Sequence, residues 1–169
     1  MSHAPPPTQP DGPAAFRRQL TRPGALRLFL LKELPLAWLA GCRLAELTAE
    51  GAAVSLRHRW LNQNPFRSLY FGAQAMAAEL STGMLVMQHV YGRRPGISML
   101  ITGMRARFGK KATGWITFRC SDGQTIEEAV AAAVRSGAGQ TFEARSVGTN
   151  EAGEVVAEFW FEWSVKQRA

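Results

Sequence analysis

Cysteine is scarce in this chain: Cys42 and Cys120 stand far apart, and neither belongs to a CxxC pair or a Cys/His cluster. That spacing argues against a structural zinc site and against a disulfide framework, so a reduced, cytoplasmic setting without a metal is expected. Long apolar runs are lacking too. The most apolar stretch, Leu26 to Cys42, is broken by Arg27, Lys32, Glu33 and Pro35. It falls short of the ~20 residues that a bilayer-spanning helix needs. It reads as an amphipathic helix over 22–34, followed by an apolar approach to the first strand. No integral membrane segment is expected, while a peripheral membrane contact stays open. RRM, zinc-finger and helix-turn-helix patterns are also absent. The excess of 20 Lys and Arg over 13 Asp and Glu, with a pI of about 10.2, therefore points to an anionic partner, and nucleic acid is disfavoured.

What is present fits one domain. A chain of 169 residues, 46% hydrophobic and 20% charged, can bury one core. Residues 1–15, rich in Pro and Ala with nothing to bury, read as a disordered tail before a single domain over 16–169. Val54, Leu56, His58 and Trp60 alternate with polar residues after the Glu50-Gly51 turn, which predicts a β-hairpin over 43–60. The proline-free run 70–90 predicts a long central helix, stopped by Gly92 and Pro95. Its Met76, Leu80, Met84 and Met87 form one stripe. Its opposite face carries Gln74, Ser81, Thr82, Gln88 and His89 but no Lys, Arg, Asp or Glu, so protein should cover most of the helix. Strands are expected over 98–108, 113–120, 141–147 and 155–165, with a short helix over 126–134. The fold class is α+β: an antiparallel sheet wrapped around a long central helix.

Acidic residues nearly vanish from the middle of the chain. Between Gly51 and Ser121 the one carboxylate is Glu79, against ten cations. Glu79 falls mid-helix, out of reach of the positive helix end, with no Lys or Arg three or four residues away to pair with it. Gly72, Ala75, Gly83 and Val86 share its side, and small neighbours leave room for a backbone or a ligand. A carboxylate held there without a partner would have a raised pKa, which suits a general base. A structural ion pair with one of the ten cations is the plainer alternative.

With that carboxylate in place, the segment Asn64-Pro65-Phe66-Arg67-Ser68-Leu69-Tyr70-Phe71-Gly72, then Glu79, then Pro95-Gly96-Ile97-Ser98 resembles the hot-dog fold thioesterases of the phenylacetyl-CoA and medium-chain acyl-CoA type. The family pattern runs Asn-x-x-Gly-x-x-His-Gly-Gly, then an acid, then a Pro-Gly-Val-Ser-like strand start. Arg67, Tyr70 and Phe71 depart from it, which resembles a bacterial branch lacking His-Gly-Gly. The resemblance implies a homodimer, with pairing into tetramers open, that acts on an acyl-CoA or acyl-carrier thioester and needs no cofactor beyond the coenzyme A of its substrate. It implies Glu79 as general base or nucleophile, Asn64 orienting it or the water, the N–H of Phe71 or Gly72 as oxyanion donor, and Ser98 assisting from the partner. Tyr70 and Phe71 would line the substrate mouth.

Other readings remain open. Arg105, Arg107, Lys110 and Lys111 form a basic run that could hold coenzyme phosphates, or simply a solvated strand edge. Asn64 before Pro65 is also an ordinary turn residue, Ser98 an ordinary strand-start serine, and His58 and His89 packing residues. A non-catalytic module that binds acyl-CoA or fatty acid is the main rival to an enzyme.

Overall fold

The alternation near the C-terminus builds a half-buried strand of a six-stranded antiparallel sheet. The structure is a computed structural model, and it describes residues 12–168. In chain order it contains α1 (Gly12–Leu20), α2 (Ala25–Glu33), α3 (Pro35–Ala40), β1 (Arg43–Leu47), β2 (Ala52–Arg57), α4 (Phe71–Val90), β3 (Ile97–Phe108), β4 (Trp115–Cys120), α5 (Gly123–Ser136), β5 (Gln140–Asn150) and β6 (Val155–Gln167). The sheet runs β1-β2-β4-β5-β6-β3. Phe159, Phe161, Trp163 and Val165 of β6 point inward with Ile116 and Phe118 of β4 and Ala144 of β5. Helix α4 lies against this face, with α5 and α1 packed beside it.

The central helix and the four later strands lie where the pattern predicts them, with shifted ends. Three differences have physical causes. Residues 12–15 belong to α1 rather than to a tail, because Phe16 and Leu20 bury and Arg17 donates to Gln88 of α4 at 2.7 Å; the rest of the expected tail, 1–11, lies outside the described residues. The expected helix over 22–34 starts at Ala25, after Gly24 in the left-handed region. The second strand stops at Arg57, and Trp60 turns outward in a 3₁₀ turn, Trp60–Asn62.

That turn positions the start of α4. The side chain of buried Asn62 donates to the carbonyls of Ala40 and Arg57, both at 2.9 Å, and accepts from the Arg59 N–H at 2.8 Å. Its own carbonyl accepts from the Tyr70 N–H at 2.8 Å. One buried residue thus ties α3, β2 and the helix start together, with both of its side-chain N–H donors used.

Candidate active site

Within α4 every residue beyond Phe71 is buried except Gly72, Ala75, Met76, Glu79, Met87 and Val90, which are half-buried. These six share one side of the helix, as residues spaced by three, four and seven must. Glu79 sits in the middle of this stripe. Its Oε1 lies 2.9 Å from where a β-carbon on Gly83 would stand, so the glycine makes room for the carboxyl group. The Trp163 ring closes the same spot, 3.5 Å from that β-carbon position. Trp163 is fixed by donating its Nε1–H to Thr82 Oγ1 at 3.1 Å, and Thr82 in turn donates to the Glu79 carbonyl at 2.9 Å.

No ion pair reaches the Glu79 carboxyl among the described residues. Burial without compensation pushes its pKa up from the ordinary 4.5 to about 7. Buried Cys42 lies close enough to feel that charge: its thiol is pushed up to about 12, by burial first and Glu79 second, while Arg59 opposes the rise. Cys42 stays a thiol and is no nucleophile.

A second group of candidates gathers at the start of α4. A cleft of about 570 Å³ is lined by Asn64, Phe66, Tyr70, Phe71, Lys110 and Lys111, among others. The Tyr70 carbonyl accepts from the N–H groups of Ala73 and Gln74, and no side chain caps the helix. The N–H groups of Phe71 and Gly72 are thus the first donors of the helix without an intrahelical acceptor. The rings of Tyr70 and Phe71 meet tilted, with centroids 4.7 Å apart, and the Tyr70 ring lies against Gly72. Gly72 belongs both to this first turn and to the Glu79 stripe.

The other predicted residues are placed differently. Asn64 is committed to its own loop: Oδ1 accepts from the N–H groups of Phe66 at 3.0 Å and Ser68 at 3.3 Å, and Nδ2 meets Ser68 Oγ at 3.1 Å. This matches the turn reading. Ser98 Oγ donates to the Lys166 carbonyl at 3.0 Å, across β3 and β6. Among the described residues no side-chain hydrogen bond joins Asn64 or Ser98 to Glu79. The basic run divides. Lys110 and Lys111 border the cleft, whereas Arg105 lies over Trp160 and grips Glu143 with two hydrogen bonds of 2.9 Å. Arg107, two residues on, shares that outer face of the strand. The four do not form one patch, because Arg105 and Arg107 share the outer face of β3 whereas Lys110 and Lys111 follow its end, past Gly109, at the cleft. Sequence reasoning missed Asn62 and Trp163. Asn62 stood inside a polar loop, and Trp163 reaches Glu79 only through long-range pairing of β6.

A family model described as "Domain of unknown function (DUF4442)" matches residues 24–165. The chain belongs to that family. No curated protein matches it. Solved structures similar to this DUF4442 chain share its fold. One is a protein of unknown function from Pseudomonas aeruginosa described as a probable thioesterase, with 24% identity and a TM-score of 0.72, covering 85% of this chain and 95% of that one. Another is a protein of unknown function from Chlorobaculum tepidum, with 14% identity, a TM-score of 0.73, and coverage of 85% and 93%. A third is a thioesterase from Haemophilus influenzae, with 10% identity, a TM-score of 0.60, and coverage of 85% and 89%. No cluster of three or more His, Cys, Asp or Glu able to hold a metal occurs among the described residues of the DUF4442 chain. None of its described helices is long and apolar enough to cross a membrane.

Proposed function

We propose that this DUF4442 protein is a hot-dog thioester hydrolase that acts on an acyl-CoA or acyl-carrier thioester with Glu79 as general base. The observation that carries the reading is the unpaired Glu79 carboxyl, held over Gly83 with its pKa raised to about 7. At that value a carboxylate takes a proton from water near neutral pH without binding it too tightly. Water oxygen attacks the thioester carbonyl carbon while its proton passes to Glu79. The resulting oxyanion faces the N–H groups of Phe71 and Gly72 at the positive end of α4. The C–S bond then breaks and the thiolate leaves. Coenzyme A enters only as part of the substrate. One structure of like fold is described as a probable thioesterase and another as a thioesterase, which supports the reaction class.

A homodimer completes the site in this reading. Strand β3 pairs only with β6, so its other edge is free among the described residues, and Leu100 and Met104 on it are exposed. A strand of twelve residues with one free edge invites a second copy. Joining β3 to β3 would bring the partner's edge strand, with its Ser98 position, toward the half-buried stripe. Light scattering tests this: a dimer mass is expected, and Leu100→Lys should shift it toward monomer.

Thiol release from a series of acyl-CoAs tests the chemistry. Glu79→Gln should cost about 10²-fold or more; unchanged hydrolysis overturns the assignment. The paired rings of Tyr70 and Phe71 at the mouth favour a second reading, binding without hydrolysis. Thermal stabilisation by acyl-CoA with no thiol release at any chain length would establish it.

A further inference from the structure

Helix α2 has two apolar faces, and the core accounts for only one. Leu26 and Leu30 are buried, while Leu28 is 68% exposed and Leu31 stands exposed beside it. At 100° per residue, Leu28 and Leu31 lie on the side away from the core, with Arg27 on one flank and Lys32 on the other. Helix α3 repeats the arrangement: Ala37 and Ala40 are buried, while Leu36, 70% exposed, and Leu39 face outward. Leu34 joins them at the elbow between the helices. Five leucines between positions 28 and 39 thus face solvent. Scattered apolar residues on a surface are ordinary, but a contiguous group is not.

The group continues onto the neighbouring turn. Trp60, 80% exposed, and Leu61 project from the 3₁₀ turn, which Asn62 fastens to the Ala40 carbonyl. A small cleft lined by Arg27, Leu39, Arg43, Arg59 and Leu61 brings the three segments onto one face. Arg22 joins Arg27 and Arg43 along the adjoining cleft of about 460 Å³. None of Arg22, Arg27, Arg43 and Arg59 forms an ion pair among the described residues; the Glu46 carboxylate nearby is taken by Arg119. The carboxylate close to the leucines is Glu33, beside Lys32 at 3.5 Å.

We infer that the α2–α3 elbow and the Trp60–Asn62 turn form a docking face for an anionic lipid surface. Interfacial helices sink an apolar ridge a few ångströms below the headgroups while flanking cations remain among the phosphates. Leu28, Leu31, Leu36 and Leu39 form the ridge, Arg27, Lys32 and Arg59 the cationic flank, and Trp60 suits the boundary, where its ring is half solvated. A second copy fits this face poorly, because a two-fold axis would bring like cations together. An acidic protein would meet the charge, but leucines standing this far out need a matching recess, whereas a bilayer accepts each independently.

Co-sedimentation with vesicles of 30% phosphatidylglycerol in phosphatidylcholine at low salt tests the inference. The wild-type chain should pellet with these vesicles and stay in solution with pure phosphatidylcholine. Leu28→Ser/Leu36→Ser should lower the partition coefficient at least tenfold. Brominated acyl chains should quench an emission component that Trp60→Phe removes, a readout that survives even if the double variant folds poorly. Absence of binding, equal binding by the leucine variant, or no Trp60-dependent quenching would each overturn the proposal. So would a leucine variant that halves the wild-type particle mass, since a second copy would then occupy the face.

Discussion

The carboxyl of Glu79 occupies the space that the missing side chain of Gly83 leaves open, its Oε1 2.9 Å from that residue's β-carbon position. The two are one helical turn apart, so the glycine acts as a seat for the acid rather than as a bend in the helix. Gly83→Ala separates stability from activity. Alanine removes the entropic penalty of a mid-helix glycine, worth about 1 kcal/mol, and the flexible end of Glu79 can yield to the methyl group. The variant should melt ~2–4 °C higher. A carboxyl displaced by about 1 Å should lose roughly 10²-fold in thiol release. Calorimetry and a thiol-release assay on the same preparation check both halves.

The raised pKa of Glu79 has a definite sign in stability. Folding lifts this carboxyl from 4.5 to about 7, so between those values the native state holds a proton that the unfolded chain has released. Stability therefore falls as pH rises through this window, the reverse of a salt-bridged acid. The cost above pH 7 is at most about 3 kcal/mol. Glu79→Gln should recover much of it at pH 8 and nothing below pH 4.5, as denaturant midpoints at the two pH values will report. In the wild type, thiol release should rise with pH through an inflection near 7 and then level off. A flat profile from pH 5 to 8 would contradict the role.

Arg67 holds a backbone that suits glycine. Its φ is 58°, the left-handed region, inside the loop that Asn64 organises through the N–H groups of Phe66 and Ser68. A side chain there costs ~1–2 kcal/mol, part of which glycine gives back as unfolded-state entropy. Arg67→Gly should therefore stabilise by about 0.5–1 kcal/mol, and Arg67→Val should destabilise. Urea denaturation of the three proteins gives the order directly.

These residues also mark what can be read from the chain before its structure. The isolation of Glu79 and its small neighbours Gly72 and Gly83 follow from helical spacing, because α4 is long and lacks proline. The alternation of β6 marks it as half-buried for the same local reason. The surroundings of Glu79 do not follow: Trp163, which packs at the Gly83 position, lies 84 positions from Glu79 and arrives through strand pairing. Neither does the direction of Asn64, since Asn-Pro, although commoner in a turn, also fits a catalytic loop. The leucines of α2 and α3 mislead most directly. Periodicity marks apolar positions, yet Leu26 and Leu28 are the same residue type with opposite fates, decided by which side α1 and β1 happen to cover.

Strand geometry makes one more distinction that counting cations could not. Lys111 borders the cleft at the start of α4, and its Nζ lies 3.4 Å from the Phe66 carbonyl, with no carboxylate partner among the described residues. Lys110 borders the same cleft but is paired with Glu154. Arg105 is clamped by Glu143 on the outer face of the sheet. If coenzyme phosphates lie along this cleft, Lys111→Ala should raise KM for an acyl-CoA by roughly 5–10-fold, the scale of one charge-assisted contact. Lys110→Ala should do less, because Glu154 already offsets its charge. Arg105→Ala should leave KM unchanged and cost under about 1 kcal/mol of stability, as an exposed pair does. The same three variants assayed on an acyl thioester of a small neutral thiol should be indistinguishable in KM, since that substrate carries no phosphate. A KM effect of Lys111→Ala equal on both substrates would show that the lysine shapes the mouth rather than holding an anion.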